Sequence, residues 1–421
     1  LTGDTGSIVW HPFTQHALRS RFPKAVRAEG AYIFTADGRR IVDAISSWWV
    51  ITHGHRHPRI VAAIRAAADT LDQVIFAEYT HEPAERLAEK LIAVAPPGLA
   101  HVFFSDSGST SVEVALKMAL GFWRHSSEPR HRILVMEHSY HGDTVGAMSV
   151  GERGPFTEAY EPLLFEVARI PFPAAGRESV TFEALEAHCS LGDAAAFIVE
   201  PLVLGAGGML MYPPAVLGEI REICARHGVL FIADEVMTGW GRTGSLFACD
   251  QAGISPDIAC YSKGLTGGSL PLAVTLCRRE IFAAHYADDR RRTFFHSSSF
   301  TANPIACAAA LANLEIWESE PVLARIAALQ AMQAKQLERF RDDARFEQVR
   351  QTGTIAALDV RAAERGYLAE IGSRLAASLQ AGEVLLRPLG NTLYVLPPYC
   401  VTNEDLDRVY GAILGAVDAL G

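Results

Sequence analysis

The chain of 421 residues contains no block of Lys or Arg, and its formal net charge is −10. That balance argues against a nucleic acid or an anionic membrane surface as a partner. No apolar run approaches the roughly 20 residues needed to span a bilayer. Leu1 to Trp10 lacks a basic stretch followed by an apolar one, so no signal peptide is expected. Cysteine is sparse and unpatterned. Cys189, Cys224, Cys249, Cys260, Cys277, Cys307 and Cys400 form no C-x-x-C pair and are odd in number. Buried, reduced thiols in a cytoplasmic protein are the simple expectation. Internal repeats and low-complexity linkers are also missing, so the two or three domains that the length implies are packed together. What remains is an ordinary globular composition, 49% hydrophobic and 20% charged, with ample core.

The N-terminal part, to residue 48, reads as an arm followed by a small sheet. Trp10 to Gln15 has no periodicity and reads as loop. Ala31 to Asp43 reads as a hairpin turned at Asp37-Gly38. Ser46-Ser-Trp-Trp49 sets two aromatics side by side, for which core packing is the default reading. His53-Gly-His-Arg-His57 has ligand-like spacing, but Gly54 and Pro58 favour a loop and no nearby carboxylate or Cys completes a metal site. No metal is expected. Strands and helices alternate from about residue 100 to 277, as in a mostly parallel α/β sheet. Gly151 to Gly192 holds four prolines and few periodic runs, and reads as a surface insertion. The last helix begins near Asn403, with Glu404 and Asp405 in its first turn.

The chemistry concentrates between Val229 and Gly268. A buried strand ends in Asp234-Glu235, a Gly-rich turn (Thr238 to Gly244) follows, and a second short strand leads into Ser262-Lys263-Gly264. An acid at one strand end and a lysine past another suit pyridoxal phosphate, which needs an amine for its aldehyde and an acid at its ring nitrogen. Upstream, a strand to Ser105 runs into Asp106-Ser-Gly-Ser-Thr110 and then a helix. Free N–H groups and the helix dipole there favour a phosphate, although Ser is also a common N-cap.

This order of motifs resembles the class III aminotransferases over nearly the whole chain. The resemblance implies a fold type I α/β protein. Its large domain would span 49–310 around a seven-stranded, mostly parallel sheet. A small α+β domain would combine 1–48 with 311–421. It implies pyridoxal phosphate on Lys263, Asp234 at the ring nitrogen, and Tyr140 stacked on the ring and lining the substrate pocket. Gly108 and Ser109 would hold the phosphate. Ser298 and Ser299 would reach the phosphate of the other subunit of a homodimer. The substrate pocket would involve Phe13, Trp48, Tyr140, Ser297, Arg387 and Tyr399, with Arg387 pairing a carboxylate.

Trp10 to Thr14, Ser46 to Trp49, Leu265 to Gly268, Arg387 to Gly390 and Leu396 to Tyr399 are most similar to the biotin-synthesis branch of that family. That branch implies 8-amino-7-oxononanoate as amino acceptor and S-adenosylmethionine, or in some members lysine, as donor. Phe13 and Ser297 depart from the usual residues, and also fit a broader ω-amino acid or diamine:pyruvate aminotransferase. An aminomutase and a non-catalytic pyridoxal-phosphate-binding protein are the remaining readings. Intact Asp234 and Lys263 speak against the non-catalytic one.

Overall fold

The computed structural model describes residues 8–18, 22–126, 128 and 130–420; residues 1–7, part of the stretch read for a signal peptide, lie outside that set. Strands β1 (Ala25–Glu29), β2 (Tyr32–Thr35) and β3 (Arg40–Asp43) form an antiparallel meander. Gly38 turns the β2–β3 hairpin at φ +86°, a conformation open to glycine. The central sheet begins with β4 (Leu99–Ser105), β5 (Arg132–Met136), β6 (Ala168–Ile170) and β7 (Ala194–Val199). A small hairpin, β8 (Val203–Leu204) with β9 (Leu210–Met211), interrupts it. The sheet is completed by β10 (Leu230–Asp234), β11 (Ile258–Tyr261) and β12 (Ala273–Arg278).

Its order is β4-β12-β11-β10-β7-β5-β6, with β12 antiparallel to both neighbours and the other described pairs parallel. This is the mostly parallel sheet expected from the alternation of elements, with the seven strands that the family resemblance implies. Strands β7 and β10 are buried at every residue, as strands covered on both faces must be. Successive side chains serve opposite layers. Phe231 and Ala233 join Leu217, Ile220 and Ile223 of the helix Pro214–Arg226. Leu230 and Ile232 join Val112, Ala115 and Ala119 of the helix Gly108–His125.

Beyond residue 340, β13 (Phe346–Thr352) and β14 (Ile355–Val360) pair antiparallel. The short β15 (Val384–Leu385) runs parallel to β3, and β16 (Thr392–Val395) pairs with β14. The β3–β15 ladder ties the N-terminal segment to the C-terminal one.

Two expectations are corrected. Residues 151–192 are not a surface insertion: they contain β6 and the helix Glu178–Cys189, which buries Leu185 and Cys189. A strand of three residues is too short for a period to be read. Strand β13 is largely polar, FEQVRQT, and hides its register behind a bulge. Cys400 is exposed, whereas the other six cysteines are buried as expected. The three histidines of 53–57 turn to separate partners. His53 Nε2 meets Asn313 Oδ1 at 2.9 Å, His55 Nε2 meets Asp43 Oδ2 at 2.8 Å, and His57 Nε2 lies 3.5 Å from Glu320 Oε1.

Gly353, between β13 and β14, sits at φ +55°, and a Cβ there would lie 2.2 Å from the backbone carbon of Thr243. Gly353→Ala is expected to destabilise the chain by roughly 2–4 kcal/mol, combining the left-handed conformation with the clash. A lower urea midpoint at unchanged m-value would report it. An unchanged midpoint would contradict the close approach.

Candidate active site

Parallel strands deliver their C-terminal ends to one edge of the sheet, where ligands bind in open α/β folds. Here Ser105 of β4 leads to Gly108 and Ser109, and Met136 of β5 leads to Tyr140 and His141. Val199 of β7 is followed by Glu200, β10 ends in Asp234, and β11 is followed two residues on by Lys263. Asp234 lies opposite Cys260 in the β10–β11 ladder, which brings the acid and the lysine to neighbouring strand ends.

Asp234 is 4% exposed. Its Oδ2 meets His141 Nδ1 at 2.6 Å, and its Oδ1 accepts the Val236 N–H at 3.1 Å. Because the carboxylate accepts, Nδ1 carries the proton in this pair. Lys263 adopts φ +46° at the start of a turn of 3-10 helix, Lys263–Thr266. Its Nζ lies 5.4 Å from the centre of the Trp49 ring and makes no hydrogen bond among the described residues. Burial lowers the pKa of this amine, against the opposing pull of Asp234 and Glu200. The turn is held from behind. Asn313 Nδ2 donates to the carbonyls of Gly264 and Leu265, both at 3.1 Å. Its Oδ1 therefore faces a donor, His53 Nε2–H, and burial drops the His53 pKa to about 4, keeping that ring neutral.

Glu200 holds the next loops in place. Its Oε1 accepts the Tyr140 N–H at 3.0 Å and its Oε2 the Gly205 N–H at 2.9 Å. Burial pushes its carboxyl up to about 7. Burial, then the charges of Asp143, Glu200 and Asp234, raises the Tyr140 phenol well above its usual value, so it stays protonated. Glu235 accepts from the Ala248 and Cys249 N–H groups at 2.9 and 2.8 Å and from the Thr238 hydroxyl at 3.0 Å, which closes the Gly-rich turn.

Ser107 caps the helix Gly108–His125, leaving the first N–H groups without intrahelical acceptors. Two glycines permit the close packing there. A Cβ on Gly108 would lie 2.6 Å from Val236 Cγ1, and one on Gly142 would lie 2.0 Å from Ser109 Oγ. That oxygen instead accepts the Asp143 N–H at 3.2 Å. An anion cradle, a buried carboxylate and a lysine free of acceptors at one sheet edge fit the three demands of pyridoxal phosphate.

A second group forms around Trp48, the chain neighbour of Trp49. Phe13 and Trp48 are 44% and 40% exposed and meet edge-on at 5.7 Å. The Arg387 guanidinium lies 5.2 Å from the Trp48 ring centre, and its Nη2 donates to Phe13 O at 2.9 Å. Phe156 completes the wall, 5.8 Å from Phe13 and 4.4 Å from Tyr367. Tyr399 lies apart from this group. It is 4% exposed, its hydroxyl donates to Trp240 O at 2.5 Å, and its ring lies beneath Arg242. Tyr394 stands closer to the chemistry, accepting from Trp49 Nε1 at 3.1 Å. Ser297, Ser298 and Ser299 are not brought to Lys263 within the chain. Ser298 Oγ bonds Asp106 Oδ2, and Ser299 O accepts from Gln73 Nε2 at 3.0 Å on an exposed loop.

Sequence reasoning assigned no role to His141, Glu200, Trp49, Tyr394, Phe156 or Arg242. His141 and Glu200 each follow a strand of the central sheet by a few residues, and that position was the available signal. Arg242 is 1% exposed and donates to Pro397 O, Trp49 O and Ile51 O, joining distant segments that no local pattern links.

Comparison with known proteins places these residues in context. The family model for class III aminotransferases matches residues 15–417. An adenosylmethionine-8-amino-7-oxononanoate aminotransferase from Synechococcus elongatus is 47% identical, with 98% of this chain and 99% of that protein covered. The protein of the same name from Geobacter sulfurreducens is 39% identical over 95% of this chain and 93% of its own length. The crystal structure of the Methanocaldococcus jannaschii protein of that name superposes with a TM-score of 0.94 at 32% identity, covering 99% of this chain and 98% of that one. A pyridoxal-phosphate-bound amine transaminase from an uncultivated Pseudomonas species gives 0.93 at 33% identity, with both chains fully covered.

The carboxyls of Glu200 and Glu235 are both raised by burial to about 7 from an ordinary 4.5. The folded chain therefore binds these protons more tightly than the unfolded one. Their stabilising contribution is complete below about pH 4.5 and is lost as pH rises through about 7. Glu235→Gln cannot titrate. The difference in unfolding free energy between the two proteins should move by roughly 1–3 kcal/mol in favour of the variant between pH 5 and pH 8. Urea titrations at the two pH values measure it, and a constant difference would contradict the raised pKa.

Proposed function

The chain belongs to the class III aminotransferases, and within that family we propose that it moves an amino group from S-adenosylmethionine to 8-amino-7-oxononanoate. The product is 7,8-diaminononanoate, an intermediate of biotin synthesis. The observation that carries this reading is the open cluster of Phe13, Trp48 and Arg387. It joins full-length similarity to proteins named for that reaction. A cytoplasmic enzyme with reduced thiols accords with it.

The enzyme depends on pyridoxal phosphate, whose aldehyde bonds an amine and whose ring accepts the electrons left when the amine-bearing carbon loses its proton. The chain's own residues do the rest. Lys263, its pKa lowered by burial against the pull of Asp234 and Glu200, would move the proton at that carbon. Asp234, oriented by the His141 N–H, would hold a proton on the ring nitrogen. The N–H groups of Gly108 and Ser109 would take the phosphate, and Tyr140, protonated at neutral pH, would stack on the ring. Trp48 and Phe13 cover an apolar chain. One edge of Arg387 is used by Phe13 O and Tyr367, while Nη1 and Nε have no acceptor among the described residues and suit a substrate carboxylate.

The working unit is a homodimer in this reading. Ile75, Tyr79, Phe295 and Phe300 are 60–69% exposed. Gln73 ties their two loops together through Ser299 O. An apolar patch built on those loops suits a second copy of the chain, to which Ser298 and Ser299 would present their hydroxyls. The second reading, a broad amine:pyruvate aminotransferase, draws on Phe13 and Ser297, the two pocket positions that depart from the usual residues.

The two readings separate in single half-reactions. The pyridoxal-phosphate-loaded protein is offered S-adenosylmethionine, lysine or alanine alone, and its visible band is followed. Bleaching by S-adenosylmethionine is expected; bleaching only by alanine would overturn the proposal. In turnover, Arg387→Ala should raise KM for 8-amino-7-oxononanoate by roughly 10- to 100-fold, the worth of a charge-assisted hydrogen bond. An unchanged KM would remove Arg387 from the substrate site.

A further inference from the structure

The turn that presents Trp48 is strained. Ser46, Ser47 and Trp49 all have positive φ, at 52°, 61° and 66°. Ser47 has ψ −78°, and Trp48 between them lies at φ −135°, ψ 59°. Non-glycine residues in such regions are strained and persist only where their surroundings over-determine them. Here the surroundings converge on one buried carboxylate. Asp43 is fully buried. Its Oδ1 accepts from Ser47 N at 2.7 Å and from Ile45 N at 3.4 Å. Its Oδ2 accepts from Ser47 Oγ at 2.9 Å and pairs with His55 Nε2 at 2.8 Å. Further along, Ser46 Oγ donates to Leu396 O at 2.8 Å, and Arg242 donates to the carbonyls of Trp49 and Ile51.

Asp43 also marks a junction. It is the last residue of β3, where it lies opposite Leu385 in the parallel β3–β15 ladder. Parallel strands point the same way, so the chains leaving them run on together. One carries Trp48 five residues later and the other carries Arg387 two residues later. The Trp48–Arg387 contact at 5.2 Å is the meeting of those two exits.

We propose that Asp43 is a positioning residue for the substrate site: its carboxylate holds the left-handed Ser46–Trp49 turn and so sets Trp48 against Arg387. The inference rests on the reading that Trp48 and Arg387 bind the substrate. It assigns Asp43 no contact with substrate or cofactor.

The test uses the pyridoxal-phosphate-loaded enzyme. Asp43→Asn should raise KM for 8-amino-7-oxononanoate about tenfold with kcat changed less than about twofold, the pattern of lost substrate binding. The visible spectrum of the bound cofactor should not move. Acrylamide quenching assigned to Trp48, taken as the difference between each protein and its Trp48→Phe counterpart, should increase. Adding Ser47→Gly should restore most of the KM, because glycine adopts positive φ without help. A fall in kcat with a changed cofactor spectrum, or no rescue by Ser47→Gly, would overturn the proposal. If Asp43→Asn does not fold, Ser47→Ala removes only the hydroxyl bond to the carboxylate and should raise KM about threefold. An unchanged KM in that variant would also overturn it. Trp48→Ala and Arg387→Ala are run in parallel. If they leave KM unchanged, the substrate reading fails and takes this proposal with it. If they raise KM while Asp43→Asn does not, the positioning proposal alone fails.

Discussion

The register of two parallel strands carries the site. Asp234 lies opposite Cys260, so a carboxylate ends one strand beside the strand that leads to Lys263. Side chains alternate along a strand, and a slip of one residue would turn Asp234 toward the other face. The register is guarded by burial. Every residue of β10 and β11 is buried: Leu230, Ile232, Ile258 and Cys260 share one apolar cluster, while the alternate Phe231 and Ala233 join a second and Ala259 and Tyr261 a third. Catalytic geometry here is a by-product of how an apolar sheet must pack.

The same edge gathers more charge than burial alone would tolerate. Asp234, Glu200 and Lys263 share one region with the His141 ring, and each is met by a donor, an acceptor or a shifted pKa. Isolated buried charges are costly, and paired or hydrogen-bonded ones much less so. Glu200 illustrates the balance. Burial, with Asp234, opposes its charge, while His141 and two backbone N–H groups favour it, leaving its carboxyl at about 7. Lys263 has no hydrogen-bond partner among the described residues, and burial lowers the pKa of its amine.

Much of this was legible in the sequence because its signals are local. The run into Asp234, the Gly-rich turn and Lys263 lie within about forty residues, and strand, small-residue loop and helix around Gly108 form one continuous motif. The central sheet followed from the alternation of apolar runs. What was not legible depends on contacts between distant segments. Tyr394 and Tyr399 are five residues apart, yet one meets Trp49 and the other Trp240, and no period distinguishes them. Phe156 reaches the Phe13 cluster from a proline-rich stretch with no pattern of its own. Arg242 joins three carbonyls from two remote segments. Strand β6 is too short to show a period, and β13 is too polar to look like a strand.

The central claim is that one sheet edge presents Lys263, Asp234 and the Gly108–Ser109 amides to a single cofactor. A crystal structure of the pyridoxal-phosphate-loaded protein tests it most directly. The account predicts continuous density from Lys263 Nζ to the cofactor, the ring nitrogen facing the Asp234 carboxylate, and the phosphate at the start of the helix Gly108–His125. A cofactor joined to another lysine, or a ring nitrogen turned away from Asp234, would contradict it.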